Sequence, residues 1–191
     1  IGSALIVAGA AGLVGGLAGG AFARAMLALA GGVHPLAAWS KRRPVWFAIG
    51  CGLVVAALGC GTGLTWGTGY SAARAMIGGV DAPLWFGPAK LVATLATAVA
   101  GLPGGIFAPS LAVGAGIGNL LRPIFADSPA SAVVILGMVG YFTGVVRAPL
   151  TAVIILAETT GSRGLMLPMF ATAFVADGAS QFICREKLYY G

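Results

Sequence analysis

One segment constrains this chain more than any other. Gly101-Leu-Pro-Gly-Gly-Ile-Phe-Ala-Pro-Ser110, followed by Leu-Ala-Val-Gly-Ala-Gly-Ile-Gly118, is a glycine- and proline-broken stretch inside an apolar, membrane-like sequence. Hydrophobic residues make up 59% of the chain and charged residues 8%, far from the charge content of a soluble domain. Irregular backbone at membrane depth is tolerated only where protein buries it or where it lines a watery cavity, because lipid offers its N–H groups no acceptor. The break runs straight into a helix-forming stretch. The first amides of that helix therefore point back into the break, and a helix N-terminus with free N–H groups is a ready anion site. Broken helices that aim their ends at a ligand in mid-membrane are a device of transporters. The segment implies anion permeation.

The rest of the composition fits a multi-span membrane protein. The 32 glycines suit close approach of membrane helices, and no three-residue collagen period is present. The formal charge is +6, but the basic residues are scattered and not interleaved with aromatics, which argues against nucleic acid. The one tight cluster, Lys41-Arg42-Arg43, reads as a cytoplasmic topology anchor by the positive-inside bias. Cys51, Cys60 and Cys184 lie in apolar runs and read as small buried residues. With His34 the only histidine, nothing suggests a disulfide framework, a metal site or a cofactor. No serine–histidine constellation or phosphate loop is present, so the chain has almost no material for an enzyme.

Along the chain, residues 4–30 are long enough to span the hydrocarbon core, and 45–60 form a second span. Residues 31–44 are a loop, and 71–78 a short amphipathic helix at an interface. Residues 84–100 are a third apolar stretch interrupted by Lys90, which is expected to snorkel to an interface, with positive potential lent to an anion vestibule as the alternative. After the break, a helix over about 106–121 ends at Arg122-Pro123. Ala126-Asp127-Ser128-Pro129 is read as a loop and new N-cap. Residues 130–143 and 149–159 are two helices too short to cross a bilayer, and 164–183 is a last long span. Arg147 is expected to be a structural anchor or ion-pair partner. Glu158 invites a proton-relay reading. Asp177 either pairs with a basic residue or faces an aqueous cavity.

Three segments in order carry a family pattern: Gly104-Gly-Ile-Phe-Ala-Pro-Ser-Leu-Ala-Val-Gly114; Gly144-Val-Val-Arg-Ala-Pro-Leu-Thr151 with Glu158 downstream; and Lys187-Leu-Tyr189. Together they resemble the CLC family of chloride channels and chloride/proton exchangers. The resemblance runs over nearly the whole chain but only over the second, C-terminal half of a CLC membrane domain, with the N-terminal half absent from it. It implies an all-α, polytopic, inverted-repeat fold of broken and partial-length helices over residues 1–191, as a fragment of a longer protein. It also implies a homodimer in the bilayer, with the faces of 149–159 and 164–183 at the subunit interface. The resemblance replaces the proton-relay reading of Glu158 with that of a structural residue near a helix end.

The function it implies is chloride transport, by a channel or by exchange for protons. The amides of Ile106 and Phe107 would face a central chloride, with Gly105 and Ala108 flanking them, and the Tyr189 hydroxyl would donate to the same ion. Tyr189 favours chloride over fluoride. The family's serine-bearing Gly-Ser-Gly-x-Pro segment and its gating-glutamate segment belong to the first half and do not occur here. A non-transporting membrane scaffold, or a truncated paralogue, is the alternative. The alanine- and glycine-rich character points to a prokaryotic inner membrane.

Overall fold

The computed structural model describes residues 2–30, 42–100 and 105–184. Among the described residues there are eight α-helices, one 3-10 turn and no strand. The helices are α1 (Gly2–Ala30), α2 (Pro44–Thr62), α3 (Tyr70–Ile77), α4 (Phe86–Val99), α5 (Phe107–Leu121), α6 (Ala130–Val146), α7 (Pro149–Thr160) and α8 (Met166–Ile183), the last preceded by the turn Arg163–Leu165.

α6 is the axis of the bundle. Its residues Val133 to Val145 are all buried, and α1, α5 and α8 pack around it. Glycine allows this. On α1 two small-residue stripes, each with a period of four, lie side by side. Ala11, Gly15 and Gly19 face α6: a Cβ on Gly15 would lie 2.5 Å from the Tyr141 nitrogen, and one on Gly19 2.6 Å from the Tyr141 carbonyl oxygen. Gly12, Gly16 and Gly20 face α8 at Thr172, Ala176 and Ser180, and there a Cβ on Gly16 would meet the Ala176 backbone at 2.5 Å. Contacts that advance together along both chains mean that α1 runs parallel to both partners. The α5–α6 seam runs the other way, with Gly114 against Met138 and Gly118 against Val134. In lipid, where apolar burial does not drive helices together, such backbone-to-backbone fit and its dispersion contacts hold them.

α1 and α2 are the helices long and apolar enough to cross a membrane. α8 also has 18 residues, but Pro168, Asp177 and Gln181 make it less apolar and it is not one of these. The last long span expected over 164–183 is thus a more polar helix entered through a 3-10 turn. The third apolar stretch, 84–100, holds a 14-residue helix, too short to cross alone. α6 and α7 are partial-length, as read from the sequence.

Ser128 does not cap α6. The N-cap position is Pro129, without a side-chain hydrogen bond, and the Ser128 amide instead closes a turn onto the Phe125 carbonyl at 3.0 Å. Only Cys184 of the three cysteines is buried, and Cys60 is exposed, so the reading of all three as buried is corrected. Arg42 and Arg43 are exposed ahead of α2, while His34 and Lys41 lie outside the described residues.

Gly140 and Gly137 sit in tight seams, with a Cβ meeting the Ala11 carbonyl oxygen at 2.4 Å and Gly118 Cα at 2.5 Å. Both obstacles are backbone and cannot rotate away. Gly140→Ala and Gly137→Ala should each destabilise the detergent-solubilised protein by about 1–3 kcal/mol, read as a lower midpoint of thermal unfolding. Gly50→Ala, with nothing within 4 Å of the new methyl, should be neutral or slightly stabilising, since alanine is the better helix former.

Candidate anion site

The described chain resumes after the break at Gly105. Ile106 (φ −77°, ψ −19°) is the N-cap of α5, with no side chain bonded to the cap. The Ile106 carbonyl accepts from the Ser110 amide at 3.0 Å, the first bond of the helix. Among the described residues nothing accepts from the amides of Ile106, Phe107 or Ala108, and Pro109 has no N–H to offer. The 15-residue α5 adds its dipole to these donors. A Cβ on Gly105 would meet nothing within 4 Å, so this glycine faces open space. Phe107 is 39% exposed, and its ring meets Phe142 edge-on at 4.6 Å, which ties the helix start to the buried axis.

A cavity of about 350 Å³ opens beside this helix start, lined among others by Thr65, Gly67, Lys90, Thr94, Gly105 and Ile106. Lys90 does not snorkel. It is 3% exposed, and its Nζ donates to the carbonyls of Thr65 at 2.8 Å and Gly67 at 2.6 Å. Those carbonyls are presented by the 63–69 turn. Gly67 and Gly69 there have φ of 59° and 77°, the left-handed region that costs other residues energy. The expectation failed because snorkelling needs a path to water along the helix. Here the turn closes over α4 and supplies acceptors instead. The hydroxyls of Thr94 and Thr97 donate to carbonyls one turn back, at 2.7 and 2.9 Å. Toward the cavity they therefore offer acceptor oxygens, so its donors are Lys90 and the amides of the α5 start.

Of the residues proposed from sequence, Gly105 and Ile106 line this cavity. Phe107 and Ala108 occupy the first turn of α5 beside it, and Tyr189 lies outside the described residues. Sequence reasoning passed over three buried hydroxyls, those of Ser110, Tyr141 and Thr143, which have no hydrogen-bond partner among the described residues. Tyr141 packs with Phe22, Val113 and Ile117 in a cluster that Ile106 borders. A tyrosine in a helix otherwise made of apolar and small residues was the signal.

Arg147 closes α6 in the left-handed conformation (φ 56°, ψ 41°), its amide bonded to the Thr143 carbonyl. Its guanidinium reaches α8, with Nε 3.4 Å from the Asp177 carboxylate and a terminal nitrogen 3.2 Å from the Cys184 carbonyl oxygen. Asp177 also accepts from Gln181 at 2.9 Å. Of the two readings of Asp177, pairing is the one observed, and Arg147 is the ion-pair partner expected. Glu158 is exposed near the end of α7.

A family profile described as voltage gated chloride channel matches residues 2–181. The chain belongs to the CLC family. It is 30% identical over 165 residues to the voltage-gated ClC-type chloride channel ClcB of Salmonella dublin, covering 78% of this chain and 38% of that protein. Against ClcB of Citrobacter koseri the identity is 30% over 190 residues, 93% of this chain and 44% of the relative. The H(+)/Cl(−) exchange transporter ClcA of Klebsiella pneumoniae is 37% identical over 107 residues, 53% of this chain and 23% of its own length. The chain thus spans less than half the length of these curated relatives. The match makes it an all-helical integral membrane protein of CLC type, as the motifs implied.

Asp177→Asn should lower stability by about 1–2 kcal/mol, as a partly buried charge pair is lost. Arg147→Gly and Arg147→Gln both remove the guanidinium. Glycine accepts the left-handed backbone, so the glycine variant should be the more stable of the two by about 1 kcal/mol. Thermal unfolding in detergent checks the order.

Proposed function

We propose that this chain is part of a chloride-transporting membrane protein and supplies one helix N-terminus of its anion site. The observation that carries the reading is the start of α5: three successive backbone positions, Ile106 to Ala108, whose amides have no acceptor among the described residues, beside a cavity lined by Gly105 and Ile106. Dipole and amides supply partial positive charge where a partly dehydrated chloride would rest. Neutral donors of this kind grip an anion firmly enough to replace water and loosely enough to release it, as conduction demands. Gly105 leaves room for the ion, and the Ala108 methyl adds little bulk in the same turn. In this reading Tyr189 donates its hydroxyl to the same ion. The names of the relatives, a ClC-type chloride channel and an H(+)/Cl(−) exchange transporter, support chloride as the ion and leave both modes of transport open.

The protein acts as a homodimer in a prokaryotic inner membrane. The exposed Leu150 and Ile154 of α7 and Leu167 and Phe174 of α8 offer the apolar face for a second subunit, and no cofactor is required.

The test is transport by the protein as its gene encodes it, reconstituted in chloride-loaded liposomes with chloride efflux and proton uptake recorded together. Efflux with uphill proton movement identifies an exchanger, and efflux without it a channel. Tyr189→Ala should weaken chloride binding about tenfold, the loss of one hydrogen bond to a charged group. A folded, dimeric protein that passes no chloride contradicts the proposal and leaves the membrane scaffold.

A further inference from the structure

Lys90 poses a separate question. It is the buried cation of the described structure without a carboxylate partner. The described acids are Asp81, Asp127, Glu158 and Asp177, and the two ion pairs among the described residues are Arg122–Asp81 and Arg147–Asp177. A buried charge normally has a counter-charge, because leaving water costs it several kcal/mol. A lysine ammonium has three N–H donors. Two are committed to the carbonyls of Thr65 and Gly67. The third has no partner among the described residues, and the cavity that Lys90 lines is the one lined by Gly105 and Ile106.

Two independent sources of positive potential therefore meet in one space of about 350 Å³. One is a helix start whose first amides have no acceptor among the described residues; the other is a fixed ammonium with two carbonyl acceptors among them. Nothing negative among the described residues balances them, and the hydroxyls of Thr94 and Thr97 spend their hydrogens on their own helix.

We propose that Lys90 is an anion-contacting residue of this cavity, supplying the charge that draws a small inorganic anion to the α5 start. The inference rests on the anion-transport reading above and adds a specificity-determining residue to it. The two carbonyls have a function in this arrangement. They hold Nζ in place, so it cannot travel with the ion, and their dipoles temper its field, so the anion is attracted without being trapped. The geometry of the turn keeps them there: a Cβ on Gly69 would lie 2.7 Å from the Ala112 methyl and 3.1 Å from Lys90 Cε, so only a glycine lets the turn close so tightly over the lysine stem.

The alternative is that Lys90 only staples the 63–69 turn to α4. Two variants separate charge from stapling. Lys90→Gln keeps two N–H donors for the Thr65 and Gly67 carbonyls and removes the charge; Lys90→Arg keeps the charge. Chloride is titrated calorimetrically into the protein as its gene encodes it, and chloride flux is measured in liposomes. If Lys90 meets the anion, Lys90→Gln weakens chloride binding about tenfold or more, while Lys90→Arg stays within a few-fold of wild type. A folded Lys90→Gln that binds chloride as wild type does overturns the proposal.

Should Lys90→Gln fail to fold, the wild type still decides. Crystals grown in bromide, examined by anomalous scattering, should show bromide in contact with the Lys90 ammonium. Bromide at the α5 amides alone overturns the Lys90 proposal and leaves the transport reading standing. A wild type that binds no halide and passes no chloride defeats both.

Discussion

Everything described here hangs on how closely helix backbones approach one another around α6. The seams at Gly15, Gly19, Gly114, Gly118, Gly137, Gly140 and Gly144 leave no room for a methyl group. In a soluble protein, burial of apolar side chains from water would hold such a bundle and tolerate some slack. In lipid the same side chains gain little by turning inward, and stability comes from close contact along the backbone. The contact also fixes position. α5 can begin where it does only because Gly114 and Gly118 lock it at a defined height against Met138 and Val134, with Phe107 resting on Phe142. The amides at the start of α5 are rigid because the helix behind them cannot slide.

That rigidity bears on the electrostatics. Free amides, a helix dipole and a buried ammonium are useful to an anion only if they stay in place when it arrives, for donors that must reorganise lose part of the interaction. The α5 start is held from behind by α6, and Lys90 is held from the side by a glycine-rich turn. Both are fixed by parts of the chain remote from them in sequence: Lys90 by carbonyls 25 and 23 residues earlier, Phe107 by a ring 35 residues later.

Much of this was legible in the sequence, and the parts that were not share a cause. The break at 101–109 announced a helix start, and the helix begins at Phe107 within one residue of expectation, because glycine and proline act locally. The short helices 130–143 and 149–159 were recognised with their ends off by one to three residues. The glycines of α1 read as packing glycines, but which stripe meets which helix depends on α6 and α8, more than a hundred residues away. Of the two readings of Lys90, snorkelling fails for the same reason: an apolar stretch with one lysine resembles an interfacial helix until the turn that covers it is known. Asp177 was left with two readings because its partner, Arg147, lies on another helix. The N-cap expected within Ala126-Asp127-Ser128-Pro129 is found there, at Pro129. The proposed role of Tyr189 comes from the family resemblance and not from local physics, and Tyr189 lies outside the described residues.

The central claim is that a backbone N–H at the start of α5 holds the anion, and one measurement addresses that bond alone. Replacing the amide of Phe107 by an ester exchanges N–H for oxygen and leaves side chain and helix in place. Chloride is then titrated calorimetrically into the ester-containing and all-amide proteins. An anion held by that amide predicts weaker binding by about tenfold, the equivalent of one charge-assisted hydrogen bond. Unchanged chloride affinity in a folded ester variant would contradict it.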